Sequence, residues 1–169
     1  MNKKKLDIDS LMKMSLKDYK KHFKFLGEGI ARQVFALDNK LVVKVAKGLD
    51  GRVQNFVENY TYNNCTSQER KYLCPVLYYN DYILIMPRAT PYISIIRNHP
   101  VCLYNLRSEK TVDEDIIKLS NKFLLFLDDL YAPSSWGHIN NEYYLIDYGC
   151  TTDQGDYFYI PLLKNSTYV

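Results

Sequence analysis

The sequence lacks the features that would place it in a membrane, in an oxidising compartment or on nucleic acid. Ile83 to Met86 is far too short an apolar run to span a bilayer, and no stretch of signal-peptide character follows the basic start, Met1 to Lys5. A soluble, intracellular protein is expected. Cysteine is sparse: Cys65, Cys74, Cys102 and Cys150 stand far apart without paired metal-ligand spacing, which argues against zinc or a disulfide framework and for buried thiols. An excess of one charge is missing too, since 22 basic residues face 19 acidic ones and the net charge of +3 marks no nucleic-acid binder. The 7 glycines and 6 prolines gather into no linker-like tract, and no fixed-period repeat is apparent. What is present is a chain of 169 residues, 47% apolar and with 16 tyrosines, enough for one domain or two small lobes sharing a cleft.

Periodicity gives the organisation. Ile8 to Phe25 places Leu11, Met12, Leu16, Tyr19, His22 and Phe23 at helical steps, predicting one short amphipathic helix or two, with Asp9 or Ser10 as cap. The pattern then becomes a glycine-rich turn, Val34-Phe35-Ala36-Leu37, an Asp38-Asn39 turn, and the apolar run Leu41 to Ala46, which is a β-hairpin signal. Gln54 to Cys65 permits a helix with Phe56, Val57 and Tyr60 inward, and Cys74 to Tyr79 with Tyr82 to Met86 flank Asn80-Asp81 as a second hairpin. Pro87 closes the strand region. Val112 to Leu130 carries a wide apolar stripe through Ile116, Leu119, Phe123 and Leu127 and predicts one long helix; Tyr143 to Ile146 is a short strand ending at Asp147. Two unlike halves of this kind make an α+β fold, divided here into an N-terminal helical extension (1–24), a sheet-rich lobe with one helix (25–88) and a mainly helical lobe (89–169).

Three stretches carry candidate chemistry. Leu26-Gly27-Glu28-Gly29-Ile30-Ala31-Arg32-Gln33-Val34 puts two glycines between strands, where backbone amides can approach an anion without a Cβ in the way. Neither a Walker A ending nor a following helix is present, so this is no P-loop and no dinucleotide fingerprint. Lys44 lies inside the apolar strand Val42-Val43-Lys44-Val45-Ala46, where a lysine needs an anionic partner; Glu58 on the predicted helix and Glu69 are rival candidates, and only the resemblance given below singles out Glu58. Tyr143-Tyr144-Leu145-Ile146-Asp147-Tyr148-Gly149 delivers a carboxylate at a strand end, a place suited to an oxygen ligand for a hard cation.

In this order the three stretches resemble the protein-kinase superfamily, over roughly Phe25 to Thr151. The first is similar to G-x-G-x-x-G-x-V with Arg32 at the third glycine, the second to V-A-I-K, and the third to the D-F-G segment with Tyr148 in place of phenylalanine. Small kinase-like proteins of bacteriophages and bacteria also show an arginine in this turn and a Trp-Gly followed by Asp-Tyr-Gly, as at Trp136-Gly137 and Asp147-Tyr148-Gly149. The resemblance implies a reduced two-lobed kinase-like fold in the cytoplasm (of the host, if phage-encoded). It also implies ATP in contact with Gly27, Gly29, Arg32, Val34 and Lys44, Glu58 paired with Lys44, Mg²⁺ on Asp147, and Asp129 and Lys44 as catalytic residues.

The sequence departs from that pattern at the catalytic loop. Asp129-Leu130 matches the D-L of H-R-D-L-x-x-x-N, but the histidine and arginine are missing and Ser134 or Ser135 stands for the asparagine that would hold a second metal. His138 has no matching role and is expected in a solvent-facing turn. Only 20 residues follow Gly149, with no A-P-E segment or set of later helices for docking a peptide substrate. The leading expectation is therefore a nucleotide-binding, pseudokinase-like protein with weak or absent phosphotransfer and a protein partner or protein substrate. Its alternatives are an active minimal serine/threonine-type kinase and an interaction protein that binds no nucleotide.

Overall fold

The computed structural model describes residues 7–92 and 99–166, so the basic Met1–Lys5 start lies outside the described residues. With elements numbered in chain order, α1 (Ile8–Met12) and α2 (Leu16–His22) precede an antiparallel sheet. Its strands are β1 (Lys24–Glu28), β2 (Arg32–Ala36), β3 (Leu41–Ala46), β4 (Tyr78–Tyr79) and β5 (Ile83–Pro87), in the order β1-β2-β3-β5-β4. Side chains alternate between the faces of a strand, and the run Leu41 to Ala46 is apolar almost throughout because both faces of β3 are covered. One face presents Phe35, Val43, Val45, Ile83 and Ile85 to Leu11 of α1 and Tyr19 of α2. Each such side chain, once fully buried, contributes about 1.5–3 kcal/mol. The segment read as an extension thus closes the outer face of the sheet. Its helices are capped by Asp7 and Ser15, two and five residues away from the nearest expected capping positions, Asp9 and Ser10, being set by where each helix starts.

The other face presents Val34, Val42, Leu84 and Met86, together with Arg32 and Lys44, to the rest of the molecule. Across it runs α3 (Leu49–Asn64), followed by the single turn α4 (Ser67–Arg70). The long helix starts at Leu49 rather than near Gln54. Gly51, which reads as a breaker in sequence, is the contact point: a Cβ there would stand 2.4 Å from the Ala31 carbonyl oxygen and 2.9 Å from the Ala46 Cα.

Strands do not end at Pro87, because β6 (Thr90–Pro91) joins β7 (Trp136–Ile139) and β8 (Glu142–Leu145) in a second antiparallel sheet. A two-residue turn links β7 to β8, with Asn140 and Asn141 at φ 50° and 70°, the left-handed pair that matches the twist of a hairpin. The stripe from Val112 to Leu130 is two helices, α5 (Val112–Phe123) and α6 (Leu127–Leu130). Leu124 takes φ 53°, and the backbone of Leu124 and Leu125 is claimed by Thr152 N–H, which donates to Leu124 at 2.9 Å, and by a bridge from Leu125 to Thr151. Tertiary pairing overrides the stripe. The last helix, α7 (Asp153–Ser166), packs Tyr159 and Leu163 into a core shared with Val53 and Val57 of α3, Ile116 and Phe123 of α5, and Trp136. The fold is α+β, and among the described residues no helix is long and apolar enough to cross a membrane.

Of the cysteines, Cys65 and Cys74 are buried as expected. Cys102 is exposed and Cys150 half-buried, because each lies in a connecting segment rather than on a core-facing element.

Candidate functional site

Between the inner face of the sheet and α3 lies a cluster of buried charges. Lys44 projects from β3, opposite Val34 on β2 and Leu84 on β5, and reaches Glu58 of α3. The ion pair expected between them is formed: Lys44 Nζ stands 2.7 Å from Glu58 Oε1 and 3.0 Å from Oε2. The ammonium also donates to the Ile146 carbonyl at 2.6 Å. Glu58 is fully buried, and its Oε1 accepts further bonds from Arg32 Nη2 at 2.8 Å and Tyr148 N–H at 3.2 Å. The rival Glu69 is elsewhere, capping α4 through Thr66 and binding Lys122 at 2.8 Å.

Arg32 is inside the cluster rather than beside an open turn. Its guanidinium donates to Asn55 Oδ1 at 3.2 Å, to Glu58, and to Asp147 Oδ1 at 2.5 Å, and the residue is 4% exposed. Asn55 and Glu58 are three residues apart and therefore share one face of α3. Asn55 is a site residue the sequence reading missed, and that spacing from Glu58 was the available signal. Asp147 follows β8 and also lies 3.7 Å from Lys44 Nζ, with 57% of its side chain exposed. Loss of water raises its pKa, but the Lys44 and Arg32 charges outweigh that loss and hold the carboxyl below the ordinary value. Two cations thus face two carboxylates, and the cluster is neutral as it stands.

The segment after Asp147 is pinned to the same place. Tyr148 is buried and donates its hydroxyl to the Cys74 carbonyl at 2.9 Å. A Cβ on Gly149 would stand 2.5 Å from the Gln54 carbonyl oxygen of α3, so only glycine permits that approach. Gly27 and Gly29 differ. Neither has positive φ, and among the described residues nothing lies within 4 Å of a Cβ built at either, so the turn from β1 to β2 leaves open space beside its backbone. Ile30, at the tip of that turn, is 97% exposed.

The remaining candidates lie apart from these contacts. Asp129 belongs to the one-turn helix α6 and is half-buried; burial first, and the neighbouring Asp129 carboxylate second, push the Cys150 thiol up to about 12. Ser135 is buried, and its carbonyl oxygen accepts from Ile146 N–H at 2.7 Å and Asp147 N–H at 3.4 Å. It positions the Asp147 backbone. His138 is in β7, half-buried and edge-on to the Tyr143 ring at 5.6 Å, instead of in a solvent-facing turn, because the strand starts at Trp136 itself and pairs His138 with Tyr143 of β8.

Concavity and charge point to different places. A cavity of about 470 Å³ lies along α7 at Asp153, Tyr157 and Pro161, and one of about 250 Å³ lies under Ile30 against Val53, Gln54 and Gly149. Neither is lined by Lys44 or Asp147. Burying charges costs several kcal/mol per ion unless each is paired, so the cluster is the feature of this molecule that most requires an explanation.

The donor set also tests the expected metal. Mg²⁺ takes near-octahedral oxygen ligands at about 2.0–2.1 Å. Among the described residues no group of three or more His, Cys, Asp or Glu side chains could hold an ion. Asp147, the carboxylate best placed for one, already carries Arg32 and Lys44 on the same oxygen. A dication there would meet two positive charges, so the residues in this arrangement do not fit a resident Mg²⁺. Comparison of the chain with models of protein families and with curated proteins gives no match, which leaves the chemistry of this cluster to carry the functional reading.

Proposed function

We propose that the chain is a kinase-like, nucleotide-binding protein with weak or absent phosphotransfer, built on a reduced two-lobed kinase-like fold and working through another protein. The observation that carries the reading is the buried Lys44–Glu58 pair with Asp147 alongside, supplied by β3, α3 and the segment after β8. That is the order in which a protein kinase supplies its phosphate-binding lysine, the partner glutamate and the acid of its D-F-G segment. The open backbone at Gly27 and Gly29 fits approach by phosphate oxygens of ATP, and the apolar residues Val34, Val42 and Met86 beside Ile139 and Ile146 suit the base.

Weak transfer follows from the other side of the cluster. Efficient phosphoryl transfer depends on positioning and charge stabilisation, with a base in reach of the attacking hydroxyl. Asp129 lies half-buried in a one-turn helix apart from the Lys44–Glu58 pair, and Ser135 offers its carbonyl to the backbone where a kinase would offer a carboxamide to a metal. A second reading, an interaction protein that binds no nucleotide, is favoured by the neutrality of the cluster, since Arg32 and Lys44 are already paired.

A thermal-shift titration with ATP separates the readings. Ligand at 100 times its dissociation constant stabilises by about 2.7 kcal/mol, which raises Tm by roughly 5–10 °C in a domain of this size. Lys44→Met, which loses the ammonium, is expected to melt without that nucleotide-dependent rise. No shift with ATP, ADP or GTP leaves the interaction reading. Robust labelling of proteins by labelled ATP that disappears in Asp129→Ala identifies an active minimal kinase.

A further inference from the structure

We infer that Arg32 takes the place of the divalent cation in this cleft, so that nucleotide binds to Arg32 and Lys44 without metal and Asp147 acts as a competitor that the phosphates displace. The inference rests on the nucleotide reading above. Its starting point is the pair of contacts on Asp147 Oδ1, Arg32 Nη2 at 2.5 Å and Lys44 Nζ at 3.7 Å. A dication at this oxygen would stand beside a permanently charged guanidinium as well as an ammonium, and like charges at that range repel.

The positions support an exchange of partners. Arg32 and Lys44 are anchored from behind by Glu58, and Asn55 fixes the second guanidinium nitrogen, so both cations stay in place when Asp147 leaves. Glu58 is fully buried and cannot turn away, while the Asp147 side chain is 57% exposed and has solvent to move into. Arg32 also begins β2 directly after the turn, and its carbonyl accepts from Gly29 N–H at 3.0 Å, which ties the guanidinium to the open backbone of Gly27 and Gly29. A planar guanidinium donates to two oxygens at once, matching a phosphate as it matches a carboxylate. Displacing Asp147 by a polyphosphate replaces one monoanion by a ligand of higher charge on the same donors.

The test compares ATP binding by calorimetry in EDTA and in Mg²⁺ for the wild-type protein and Asp147→Asn, with Mn²⁺ titration of the nucleotide-free proteins read by electron paramagnetic resonance. Asp147 is more than half exposed, so Asp147→Asn keeps the fold. Wild-type affinity in EDTA is expected within about threefold of that in Mg²⁺, and Asp147→Asn is expected to bind ATP in EDTA about threefold or more tightly, the size of an exposed charge contact. No stoichiometric Mn²⁺ site is expected in the wild type. The inference is overturned if EDTA weakens wild-type binding tenfold or more, if Asp147→Asn abolishes binding, or if the wild type holds Mn²⁺ that Asp147→Asn loses. Absence of nucleotide binding in both buffers sinks the nucleotide reading itself. The Mn²⁺ arm then decides Arg32 alone: a site that appears in Arg32→Gln and disappears in Arg32→Gln/Asp147→Asn supports its role as the cation, and no site in Arg32→Gln overturns it.

Discussion

Two regions of the molecule, the inner face of the sheet with α3 and the short helix α6, treat their charged residues in opposite ways. On the side of the sheet and α3, Arg32, Lys44, Asn55 and Glu58 are all buried and bonded to one another. On α6, Asp128 is exposed and Asp129 half-buried. A buried ion network is kept only where its geometry satisfies every member, and it is weak support for stability in itself. The first side is thus organised around fixed positive charge, which suits holding an anion. The second has, among the described residues, no comparable network of buried and paired charges.

Removing the anchor breaks the comparison most severely. Glu58→Ala leaves Arg32 and Lys44 facing a buried space with Asp147 as their remaining carboxylate, and losing one partner of a buried pair costs about 3–5 kcal/mol. Thermal denaturation is expected to show a fall in Tm on the order of 10 °C. Asp129→Ala, by contrast, is expected to change stability by less than about 1 kcal/mol. Equal effects of the two substitutions would mean that the sides are not organised differently.

The glycines sharpen the same contrast at a smaller scale. Gly51→Ala and Gly149→Ala drive a methyl group to 2.4 and 2.5 Å from carbonyl oxygens, and such overpacking costs about 1–3 kcal/mol. Gly27→Ala and Gly29→Ala meet open space and are expected to stay within about 0.5 kcal/mol of the parent in stability while weakening ATP binding. Urea denaturation alongside nucleotide titration measures both. Stability loss at Gly27 with unchanged binding would make the turn purely structural.

What was legible in the sequence and what was not follow one physical line. The strands could be read because they depend on a local pattern, and a lysine in an apolar strand shows that Lys44 must find an acid, but the choice of Glu58 over Glu69 came from the order of the kinase-like stretches. The direction of Arg32 could not be read, since a turn arginine points outward or inward according to Asp147, 115 residues away. The break at Leu124 was hidden for the same reason, its partner being Thr152. The helix start at Leu49 was not read because Gly51 has low helix propensity, and its role lies in the approach of Ala31 and Ala46. The pairing β6–β7 joins residues whose sequence shows no strand signal at all, two residues held at a sheet edge by Trp136–Ile139.

The smallest effect tests whether Asp147 really rests on Arg32 in solution. Its folded pKa is depressed, so folding is stabilised by the ionised carboxylate above the unfolded value of about 3.9, and that contribution is lost as pH falls through the folded value. Solvent reaches more than half of the side chain and screens the interaction, which keeps the contribution to no more than about 1 kcal/mol. Other acids with lowered pKa, Asp7, Asp18, Glu28, Glu69 and Glu109, act in the same range, so the wild-type curve alone is uninformative. The difference between wild type and Asp147→Asn isolates the one group. Urea denaturation from pH 6 to 3 is expected to show the two proteins converging as pH falls below about 4, with wild type the more stable above it. Parallel curves across that window would place Asp147 in free solvent, away from Arg32, and would remove the contact on which the metal-free reading of the cleft depends.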